Sequence, residues 1–97
     1  MIELTGRYLR AQDTRHYAVA FGPSQWLLSW LFESPLTLDQ AAAGLRLAQM
    51  AARWGENLLF DSARNAAMVW ALVTYQARIL GLDPLDAYLR CLAQPTA

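Results

Sequence analysis

The run QWLLSWLF at residues 25–32 limits what this chain can fold into more than any other stretch does. Between Trp26 and Phe32 only Ser29 is polar. As a strand, the run places Trp26, Leu28, Trp30 and Phe32 on one face and Leu27, Ser29 and Leu31 on the other. As a helix, it would carry no polar stripe. Eight residues bounded by GPS and ESP suit a strand and are short for a helix. A strand that is apolar on both faces needs cover twice. The segment therefore predicts a sheet with helices on one side and further helix, or a second copy of the chain, on the other.

Upstream, TGRYLR (5–10) and HYAVAF (16–21) hold the Thr, Tyr, Val and Phe of strands and flank AQDT, with its turn-favouring Asp13. They read as a hairpin, with Tyr17, Val19 and Phe21 on one face and Ala18 and Ala20 opposite. Gly22 and Pro23 end it. Downstream the period changes. Pro35 biases Ser34 towards extended geometry. Thr37 and Gln40 have capping-box spacing, and Asp39 suits the first turn. The helix they open runs over residues 38–54 and stops at Gly55. Its expected wet stripe is Asp39, Arg46, Gln49 and Arg53. Leu38, Ala42, Leu45 and Ala52 are its expected core face, and Leu47, Met50, Ala51 and Trp54 a second apolar flank.

ENLLF (56–60) reads as a connector or helix lead-in. Asp61 or Ser62 can cap a helix over residues 63–80, ended by Gly81. One seam of it is Ala66, Trp70, Val73 and Ala77; another is Met68, Leu72, Tyr75 and Ile79. Arg64, Asn65, Thr74, Gln76 and Arg78 are left for water, so it reads as the most buried helix. Asp83 and Pro84 make a well-formed start for a last helix, and the tail 94–97 is expected to be loose. The prediction is one α+β domain over residues 1–97: a three-stranded antiparallel sheet followed by three α-helices.

The pattern W26-x-x-S29-W30-L31, a short turn, then L36-T37-x-x-Q40-A41 and an Ala-rich helix resembles small uncharacterised proteins of actinobacteria and their phages. The resemblance spans residues 26–48. It implies a bacterial or phage source and a strand–turn–helix unit, and it carries no activity. All eight basic side chains are Arg and none is Lys, which is what a GC-rich genome produces.

Function classes narrow by exclusion. Zero net charge argues against tight non-specific nucleic-acid binding. Cys91 is alone, so no intramolecular disulfide is expected and a reducing compartment fits. The first residues lack a secretory signal, and the longest apolar run, residues 66–73, falls far short of the roughly 20 residues of a membrane span. A cytoplasmic protein is expected. His16 and Cys91 are the only soft metal-ligand or nucleophile candidates and lie far apart in sequence. Asp13, Asp39, Asp61, Asp83 and Asp86 are accounted for by turns and helix starts. The five glycines form no phosphate-binding motif. No catalysis, cofactor or metal is therefore expected.

Two functions remain. The first is a protein–protein interaction module, homodimeric, because 56% apolar residues exceed what so short a chain readily buries. Its candidate interface residues are Trp26, Trp30, Met50, Trp54, Trp70 and Tyr75. The alternative is nucleic-acid binding through the N-terminal hairpin, where Arg7, Tyr8, Arg10, Arg15 and His16 interleave cations with aromatics.

Overall fold

The computed structural model describes residues 2–60 and 64–93, without the side chains of Phe60, Arg64 and Asn65. Strands β1 (Ile2–Thr5), β2 (Tyr8–Ala11), β3 (Tyr17–Gly22), β4 (Gln25–Leu28) and β5 (Leu31–Leu36) form one antiparallel meander in that order. Helices α1 (Leu38–Trp54), α2 (Asn57–Phe60), α3 (Arg64–Leu80) and α4 (Pro84–Ala93) follow. The fold is α+β, but the expected three strands and three helices are corrected to five strands and four helices among the described residues. The expected caps at Asp61 or Ser62 and the tail 94–97 lie outside the described residues.

Each extra strand has a physical cause. TGRYLR is not one strand, because Gly6 at φ 61° turns the chain between β1 and β2. That left-handed region is open to glycine without steric cost. QWLLSWLF is not one strand either: the chain reverses at Ser29 and Trp30, and β4 pairs with β5. Tryptophan is no turn former, so what holds this reversal comes from elsewhere in the chain. The Ser29 N–H donates to the Tyr17 carbonyl at 2.8 Å, and the Tyr17 N–H donates to Ser29 Oγ at 2.9 Å. The Trp30 indole N–H donates to the Gly44 carbonyl of α1 at 3.0 Å. Pro35 sits in β5, an edge strand, where a missing N–H costs no ladder bond. The segment 56–60 contributes the fourth helix as the single turn α2.

One face of the sheet is covered. Leu9, Ala18, Leu28 and Leu31 stand in register across β2 to β5, and all are buried beneath α1. Trp26 pairs with Leu36 beside them. The capping box at Thr37 is formed: Thr37 Oγ1 accepts from the Gln40 N–H, and Gln40 Oε1 accepts from the Thr37 N–H. Asp83 caps α4 by accepting from the Asp86 N–H.

The helix faces differ from expectation. In α1 the buried residues are Ala41, Ala43, Gly44, Leu45, Leu47, Ala48 and Ala51, while Leu38 and Ala52 are exposed. A Cβ on Gly44 would collide with the buried Leu28 side chain, so any larger residue there would force Leu28 to shift. Sheet and helix thus approach backbone to side chain at that point, and α1 also packs on α3 and α4. In α3 the first expected seam is buried at Ala66, Val73 and Ala77, joined by Val69 and Leu80, and half-buried at Trp70. The second is open at Met68, Leu72 and Tyr75 and half-buried at Ile79. Tyr88 of α4 is fully buried, its ring 5.4 Å from that of Trp70 and its hydroxyl donating to the Gly55 carbonyl at 2.8 Å. Each fully buried large side chain of this core contributes about 1.5–3 kcal/mol through removal from water.

Candidate interaction surface

Three surfaces collect the candidate residues. The first is the outer side of α3. Met68, Leu72 and Tyr75 recur at i, i+4 and i+7, and they are 64%, 56% and 64% exposed. Beside this stripe, α1 and α3 enclose a groove of about 550 Å³. Its apolar lining is Met50, Trp54, Val69 and Leu72, and Arg46, Arg53 and the Asp13 carboxyl stand among its polar lining. Leu72 belongs to both features, which makes stripe and groove one continuous surface.

Gln76 also lines that groove. Expected to face water, it is 8% exposed, and its Oε1 is shielded with no hydrogen-bond partner. Leaving a buried acceptor unsatisfied costs about 1–3 kcal/mol. The sequence gives no sign of this, because Gln76 adjoins the buried seam beside Ala77 and helical spacing alone leaves that flank to water. The small residues Ala66 and Ala77 were the cue to the buried seam: they let a neighbouring helix come close.

The candidate interface residues therefore divide. Tyr75, Met50 and Trp54 lie on the stripe or in its groove, Trp54 being 37% exposed and Met50 half-buried. Trp26 and Trp30 are in the chain's own core. Trp70 is half-buried, its indole N–H donating to the Leu58 carbonyl at 3.3 Å. Met68 and Leu72, the large aliphatic side chains of the stripe, read from the sequence only as part of a helix seam and are exposed in the structure.

The second surface is the sheet face away from α1. Tyr8 stands opposite Val19, and Arg10 opposite both Glu3 and Tyr17. The Tyr8 and Tyr17 rings stack with centroids 5.4 Å apart. Arg7 is exposed at the adjoining turn. The expected basic cluster is split, however. Arg15 and His16 line a separate cleft of about 510 Å³ with Thr14, Ala48 and Cys91.

That cleft is the third surface, and it brings together the two soft side chains that are far apart in sequence. His16 is buried, with Nδ1 2.8 Å from Ser29 Oγ. Burial pushes the Cys91 thiol up to about 12, so at neutral pH it is a thiol and not the thiolate a nucleophile needs. The same cause raises Tyr88 to about 12. Among the described residues no group of three His, Cys, Asp or Glu side chains could hold a metal ion. Among them, too, no helix is long and apolar enough to cross a membrane. Comparison with known proteins returns no match, whether to a family model, a curated protein or a solved structure.

Proposed function

We propose that this chain is an interaction module that works by binding, and that its partner is a second copy of itself held through α3 and the α1–α3 groove. The observation that carries the reading is the open stripe of Met68, Leu72 and Tyr75. Large apolar side chains repeated at helical spacing stabilise nothing while they face water, and Met and Tyr are types enriched in interface cores. With Trp54 they leave on the order of 500 Å² open per copy, so two copies face to face cover about the 1,000 Å² a specific interface needs. Antiparallel pairing of α3 with its copy also sets opposite helix-dipole ends side by side.

Light scattering behind a sizing column tests this. The expected mass is twice 10.9 kDa for the native chain and 10.9 kDa for Leu72→Glu. A native chain that stays at the monomer mass at every concentration would refute self-association.

A second reading is nucleic-acid binding by the open sheet face, favoured by the stacked Tyr8 and Tyr17 beside Arg10. It predicts a salt-sensitive association with single-stranded DNA or RNA that is lost in the double variant Arg7→Glu, Arg10→Glu. Fluorescence anisotropy with a labelled oligonucleotide measures it, and salt-independent or absent binding sinks it.

A further inference from the structure

We draw no further inference here: the strongest candidate, the cleft between the β2–β3 loop, α1 and α4 that His16 and Cys91 both line, pairs an imidazole already bonded to Ser29 with a single buried thiol, and nothing in the structure shows what fills it.

Discussion

Helices α1 and α3 are both 17 residues long and lie against each other, yet they treat their side chains in opposite ways. The buried set of α1 is mostly alanine and glycine: Ala41, Ala43, Gly44, Ala48 and Ala51, with Leu45 and Leu47. Those small residues let large ones from elsewhere approach, Leu28 over Gly44 and the Trp30 indole onto the Gly44 carbonyl. In α3 small or short residues again face inward, Ala66, Val69, Val73 and Ala77, but here Met68, Leu72 and Tyr75 face out. Apolar size is thus inside on one side of the molecule and outside on the other. Along its buried face α1 has its neighbours within the chain, the sheet, α3 and α4. α3 has the composition of such a helix on both sides and neighbours on one.

The comparison is broken most severely at the contact α1 makes with the β4–β5 turn. Trp30→Ala removes a fully buried indole and its bond to Gly44, and a cost of about 3–5 kcal/mol in urea unfolding is expected. Gly44→Ala adds one methyl where Leu28 already stands; about 1–3 kcal/mol is expected, and a neutral result would mean that the Leu28 side chain or α1 can give way.

On the α4 side, Tyr88→Phe removes the bond to the Gly55 carbonyl that seals the end of α1, for about 1 kcal/mol. A pH dependence goes with it. Burial raises Tyr88 from 10.0 to about 12 and Cys91 from 9.0 to about 12, so above pH 9 the unfolded chain releases protons that the folded chain keeps. Stability from these groups is complete below their unfolded values and is lost as the pH climbs to about 12. The urea midpoint should fall between about pH 8 and about pH 11, and less steeply in Tyr88→Phe. Equal slopes in the two proteins would show that Tyr88 ionises alike in both states. At the start of α1, Thr37→Ala opens the capping box and should cost about 1 kcal/mol. Loss of helix signal beyond that would show that Gln40, which also donates to the Ile79 carbonyl, needs Thr37 to hold its place between α1 and α3.

What could be read from the sequence follows the range over which the deciding forces act. The capping box at Thr37, the stop at Gly55 and the Asp83–Pro84 start were legible because each is a contact within a few residues. The turn at Ser29 and Trp30 was not: its bonds run to Tyr17 and Gly44, and no local pattern makes tryptophan a turn residue. Gly6 is a glycine between two strand-like runs, but TGRYLR also has the composition of one unbroken strand. Of the candidate surface, Met50, Trp54 and Tyr75 were found by their type. Met68, Leu72 and Gln76 were not, because which seam of α3 faces α1 depends on how the helices dock.

The smallest effect on folding, and the sharpest test of the contrast, is expected on the outer side of α3. Met68→Lys replaces an apolar side chain that is 64% exposed, so the unfolding free energy of the dissociated chain should change by no more than about 0.5 kcal/mol. The native chain should melt at a temperature that rises with protein concentration, since dimer formation adds to apparent stability by mass action, and the variant should lose that rise. The two readouts separate cause from circumstance. A variant destabilised by several kcal/mol at low concentration would mean that Met68 is packed within its own chain, and α3 would then resemble α1 after all. A variant with native stability and an undiminished concentration dependence would move the contact between copies away from Met68, towards the sheet face that carries Tyr8 and Tyr17.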